Sequence, residues 1–133
     1  FDRDRTLWGG FLIRAGARTL YFAGDSGYTG HFQEVRRRAG RIDLAFLPIG
    51  AYEPRWFMQA AHVNPDEAVR AHQDLGPARS VAMHFGTFQL TDEAIDEPVR
   101  ALRASLTARG VDAKDFHVPA FGETLLLPGT RSP

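Results

Sequence analysis

Three side chains have the chemistry to hold a cation or move a proton: Asp25, His62 and His84. Asp25 lies in Gly24-Asp25-Ser26-Gly27-Tyr28, a run of small residues after an apolar stretch. A carboxylate there can cap the next turn, or its two oxygens can bind or bridge metal ions. His84 follows Ser80-Val81-Ala82-Met83 and precedes Phe85-Gly86-Thr87-Phe88. One imidazole nitrogen can take a metal while the other is held by a neighbouring acceptor, or the ring can simply pack. His62 stands just before Asn64-Pro65-Asp66-Glu67, a strong helix start. It can serve as a metal ligand, an anion binder, a proton donor or a packing residue. Free N–H groups at that helix start would suit an anionic substrate.

These residues need elements to bring them together. Phe11-Leu12-Ile13 and Thr19-Leu20-Tyr21-Phe22 read as a hairpin turning at Gly16-Ala17. Phe32, Val35 and Ala39 recur at helical spacing up to Gly40, which predicts a helix over His31 to Arg38. The Asp43 to Ile49 run is nearly all apolar, as in a strand buried on both faces. A long ordered loop is expected from Gly50 to Val63, then a helix from Pro65 to about Leu75. Ser80 to His84 reads as a short strand, Ile95 to Arg109 as a helix, and Phe116-His117-Val118 and Thr124 to Leu127 as closing strands. The order is α/β, strands packed against helices. Asp25, Glu53, His62 and His84 all follow strands, where ligands gather in such sheets.

The remaining histidines carry no comparable signal. His72 falls inside a helix and reads as structural, and His31 and His117 have no motif around them. Gly24-Asp25-Ser26-Gly27 also matches the nucleophile loop of trypsin-like proteases. The early position of Ser26 and the alternating helices argue against that reading. Tyr52, Trp56, Phe57, Phe85 and Phe88 are expected to pack the floor of a site or to line an apolar groove.

Composition narrows the classes. The 133 residues suit one domain or part of one, with 44% hydrophobic and 24% charged residues. Sixteen basic residues balance sixteen acidic ones, so no global field draws nucleic acid. Arg36-Arg37-Arg38 reads as a solvated helix face. The chain has no cysteine, which removes disulfides, thiolate zinc sites and thiol nucleophiles, and suits a cytoplasmic protein. No apolar run approaches the roughly 20 residues of a membrane span. Phe1-Asp2-Arg3-Asp4-Arg5 is too charged for a signal peptide. Peripheral contact with a membrane surface stays open.

Longer motifs carry a resemblance. Leu47-Pro48-Ile49-Gly50-Ala51-Tyr52-Glu53-Pro54-Arg55-Trp56-Phe57-Met58, His62-Val63-Asn64-Pro65-Asp66-Glu67-Ala68 and His84-Phe85-Gly86-Thr87-Phe88 are similar to the metallo-β-lactamase superfamily. The branch they resemble includes N-acyl-phosphatidylethanolamine-hydrolysing phospholipase D. Gly24-Asp25-Ser26-Gly27-Tyr28 and Leu7-Trp8-Gly9-Gly10 resemble the same branch, and the likeness runs from about Thr6 to Glu123. Phe85 stands where that branch usually has Trp.

The resemblance implies an αββα sandwich of which residues 1–133 form the C-terminal half. It implies two zinc ions, with Asp25 as the bridging ligand and His84 as the last histidine. Manganese or iron would suit the same donors. His62 would face the substrate phosphate as a catalytic and binding group, and Tyr52 would line the substrate pocket. The H-x-H-x-D-H motif and one further histidine are expected upstream of Phe1. The implied activity is a phosphodiesterase acting on a small-molecule or lipid phosphodiester. Hydrolysis of a lactone or another small ester, or a non-catalytic binding or assembly role, are the alternatives. With only two ligands of its own, the chain alone is expected to be inactive and to need the other half or a second chain.

Overall fold

The structure is a computed structural model that describes residues 9–127. Leu7 and Trp8 of the expected motif lie outside the described residues. A hairpin of β1 (Phe11–Ala15) and β2 (Arg18–Phe22) opens the fold. It is followed by α1 (His31–Ala39), β3 (Leu44–Pro48), α2 (Arg55–Met58), α3 (Pro65–Leu75), β4 (Ser80–Met83), α4 (Glu97–Ala108) and β5 (Phe116–His117). The sheet order is β1-β2-β3-β4-β5, with β1 and β2 antiparallel and every later pair parallel.

The pleat sorts the side chains onto two faces. Tyr21, Ala45, Leu47, Ala82 and Phe116 join the buried core with Phe32 of α1, Val69 and Leu75 of α3, and Leu102 and Leu106 of α4. His72 of α3 hydrogen-bonds Ser80 at 2.9 Å and its ring lies 5.7 Å from that of Phe116, so it is the structural histidine expected. Burial lowers its pKa.

On the other face, register pairs Phe11 with Phe22, Ile13 with Leu20, and Phe22 with Phe46. Phe11 is 66% exposed and Ile13 50%. Helices cover one face of the sheet, and this apolar hairpin surface on the other is open to solvent.

Local signals account for most of the boundaries. Asn64 caps α3 by accepting the Glu67 N–H at 2.8 Å, and the Glu67 side chain accepts the Asn64 N–H at 3.0 Å. Pro65 opens that helix and Gly76, in the left-handed region at φ 57°, closes it. On α1, Glu34 pairs with Arg37 and Arg38 on an exposed face, as expected of the arginine run.

Two expectations are corrected. The expected loop from Gly50 to Val63 contains α2, one helical turn in which the Phe57 and Met58 N–H groups both donate to the Pro54 carbonyl at 3.0 Å. A single turn has too few residues to display a period. Residues 124–127 form no strand: Leu126 is 86% exposed, and β5 pairs only with β4. No helix among the described residues is long and apolar enough to cross a membrane.

Candidate metal centre

Each candidate ligand sits just beyond the carboxyl end of a strand or in the loop packed against one. After β2, the Ala23 N–H bonds the Phe46 carbonyl at 3.1 Å, which carries the chain over the end of β3 before it turns at Gly24 (φ 64°). The turn is held by the Ser26 hydroxyl, which donates to the Ala23 carbonyl at 2.9 Å. Among the described residues nothing donates a hydrogen bond to the Asp25 carboxylate, and His84 Nε2 lies 3.6 Å from its Oδ1. Asp25 therefore caps no turn among the described residues.

The His62 loop is drawn against the Asp25 loop by backbone contacts. The Val63 N–H donates to the Ser26 carbonyl at 2.8 Å. Gly27 packs so tightly on the Ala60 carbonyl that a Cβ there would collide with it. His84 follows β4 with φ 59°, an uncommon conformation for a residue with a Cβ. Its carbonyl rests against Gly50, where a Cβ would likewise collide.

The result is a cluster: one ligand atom from each of Asp25, His62 and His84 lies within 4.8 Å of the other two. The His62 and His84 rings are 5.4 Å apart. Burial is the main influence on His62 and lowers its pKa, against the opposing pull of Asp25. It therefore sits neutral near pH 7, the form in which imidazole binds metal. Its Nδ1 is buried with no hydrogen-bond partner, an orphan that a cation or a substrate oxygen would satisfy. One carboxylate and two imidazoles suit zinc, manganese or iron. Three donors fit such an ion but fall short of the four that close a zinc site, and far short of two such sites.

Tyr52 is not brought into this cluster. It is buried, and its hydroxyl is pushed up to about 12, first by burial and then by Glu97, Glu93 and Glu53. Glu53 turns onto its own loop, accepting the Arg55 N–H at 2.9 Å. His31 and His117 are engaged elsewhere, with Thr29 and Glu123. The start of α3 is a poorer anion site than its sequence implies. Its capping box consumes the Glu67 N–H, and Asp66 and Glu67 already place negative charge on that turn.

Two residues that residue type alone does not single out shape the centre. Arg55 donates from Nη1 to the carbonyls of His62 (2.9 Å) and Tyr52 (3.3 Å), and from Nη2 to Glu67 (2.7 Å). It thus fixes the backbone that carries His62. Glu93 accepts the N–H groups of Tyr52 and Glu53 at 3.2 and 3.0 Å. Burial raises its pKa, but hydrogen bonds from Thr91 and from backbone amides outweigh that and leave it lowered.

Beside the centre runs a cleft of about 330 Å³, with His84 in its lining. Ala51, Phe85, Phe88, Leu90, Ile95 and Pro98 make it largely apolar. Of the five aromatics expected at a floor, only Phe85 and Phe88 line this cleft. Trp56 and Phe57 point to solvent, 81% and 64% exposed, so the packing expectation fails for them.

Comparison with known proteins places the chain in a family. The sequence profile described as "Beta-lactamase superfamily domain" matches residues 1–85. The N-acyl-phosphatidylethanolamine-hydrolyzing phospholipase D 1 of Caenorhabditis elegans is 41% identical over 116 residues, covering 86% of this chain and 32% of that protein. The mitochondrial N-acyl-phosphatidylethanolamine-hydrolyzing phospholipase D of Saccharomyces cerevisiae is 36% identical over 127 residues, covering 92% and 27%. The chain thus spans a third or less of the length of these curated relatives. Among solved structures, the metallo hydrolase Igni18 of Ignicoccus hospitalis superposes with a TM-score of 0.65 at 23% identity, over 92% of this chain and 47% of that one.

Proposed function

The chain belongs to the beta-lactamase superfamily, and from that premise we propose that it is the C-terminal half of a zinc-dependent phosphodiesterase that cleaves a lipid phosphodiester. The observation that carries this reading is the meeting of Asp25, His62 and His84 donors within 4.8 Å. Their position beside an apolar cleft supports a substrate with a hydrocarbon part. The names of the nematode and yeast relatives support N-acyl-phosphatidylethanolamine or a similar lipid as its class.

Asp25 and His84 would hold the metal, Asp25 through its carboxylate and His84 through a ring nitrogen. When bound, such ions supply Lewis acidity and lower the pKa of water. His62, neutral through burial, would accept or donate a hydrogen bond at the substrate's phosphoryl oxygens. Arg55 keeps the His62 backbone in place while it does so. The cleft walls would take the apolar part of the substrate and keep water from that side of the centre.

The open hairpin face with Phe11, Ile13 and Phe22 supports the half-sandwich architecture. It is the kind of surface that a second β-sheet covers, and the rest of the full-length protein would supply that sheet and the missing ligands.

The test is turnover by the full-length protein of a phosphodiester panel and a lactone panel, with zinc and with chelator. The expected result is phosphodiester hydrolysis that chelation abolishes. Turnover of lactones alone would assign the other hydrolase chemistry, and none on either panel would favour a binding or assembly role.

A further inference from the structure

The connection between β4 and α4 carries a carboxylate whose role no motif explains. Glu93 accepts the successive N–H groups of Tyr52 and Glu53, one on each oxygen, from 41 and 40 residues away in sequence, beside its local bond from Thr91. Two neighbouring N–H groups converging on one anion form a small backbone nest of the sort that binds phosphate elsewhere. Here the chain supplies the anion itself.

The residue just before this nest, Ala51, has φ 60°. A side chain with a Cβ stays in that region only where its surroundings enforce it. The Glu93 bonds to the next two amides are such an enforcement. Ala51 and Gly50 belong to one wall of the cleft, His84 to Thr91 form the other, and Glu93 itself is in the lining. One carboxylate therefore joins the two walls of the space beside His84.

We infer that Glu93 is a positioning residue that clamps the Ala51–Glu53 wall to the loop following His84 and so fixes the width of the apolar subsite. This rests on the reading of the cleft as the place for the substrate's hydrocarbon part. Glu93 touches no reacting atom. Its effect reaches substrate selection through the wall it holds. Isosteric Gln keeps one acceptor oxygen but turns an amide NH₂ toward a backbone N–H, so one of the two bonds is lost.

The experiment uses Glu93→Gln and Glu93→Ala in the full-length protein, with two phosphodiesters that differ only in having a long or a short acyl chain. In Glu93→Ala, KM for the long-chain substrate should rise at least about tenfold more than KM for the short-chain one, with bound metal at the wild-type level. Glu93→Gln should fall between wild type and Glu93→Ala. Parallel changes for both substrates, or none, would overturn the assignment.

Hydrogen exchange at the Tyr52 and Glu53 amides gives a readout independent of turnover. It should quicken at least about tenfold in Glu93→Ala, and unchanged protection would overturn the clamp. If the wild-type protein turns over neither phosphodiester, the proposed activity fails, and the exchange rates alone then decide the clamp.

Discussion

Asp25→Asn in the full-length protein is expected to strip most of the bound metal and to lower turnover by more than about 10²-fold, beyond the 10- to 100-fold usual for residues that only support a ligand. Asparagine keeps the size but loses the charge and one of the two metal-binding oxygens. The fold should barely notice. Asp25 is 61% exposed at its side chain, and its Oδ1 lies 3.6 Å from His84 Nε2. The Ser26 hydroxyl and the Ala23 amide hold the loop without it. Metal analysis and steady-state rates check the first part, and thermal unfolding of the metal-free protein checks the second. Full metal content with full activity would refute the ligand role.

Gly50→Ala should damage the centre by a different route. The added Cβ would meet the His84 carbonyl oxygen and approach the Phe85 Cα, and both are backbone atoms. Neither can swing aside as a side chain would, so β3 and β4 must separate at their ends. The expected cost is about 3 kcal/mol, the upper part of the range for overpacking, read by chemical denaturation. His84 would move with its carbonyl, so bound metal should fall as well. Gly30→Ala is the matched control, because a Cβ there meets nothing within 4 Å. Gly30 is the N-cap of α1 but makes no side-chain cap bond, so its replacement should cost at most about 1 kcal/mol. Equal stability in both variants would show that the Gly50 contact is not a constraint.

Elements with a period or a chemical stop were readable from the residues alone. The hairpin, α1 with its Gly40 stop, the doubly buried β3 and the capped α3 are all of this kind, because their signals lie within a few residues of each other. What was not readable depends on tertiary partners. Trp56 and Phe57 have the composition of a floor, yet the single turn of α2 lifts them into solvent. Thr124 to Leu127 have strand propensity, but no strand among the described residues offers them a ladder.

The same division runs through the site. Asp25 and His84 are candidates from the residues alone, because both follow apolar strand-like runs. The proximity of His62 to both follows from the Val63–Ser26 bond and the Gly27–Ala60 contact, which no local pattern encodes. Arg55 and Glu93 act on backbone carbonyls and amides whose positions exist only in the folded chain. The anion site expected at the start of α3 was a true local signal cancelled by the helix's own capping box and acidic first turn.

The most direct test of the metal centre is anomalous diffraction at the zinc edge from crystals of the zinc-loaded full-length protein. The expected result is an anomalous peak at roughly 2.0–2.2 Å from an Asp25 carboxylate oxygen and one at roughly 2.0–2.1 Å from a His84 ring nitrogen, the usual zinc bond lengths. Zinc bound in an active crystal with no peak within reach of either residue would contradict it.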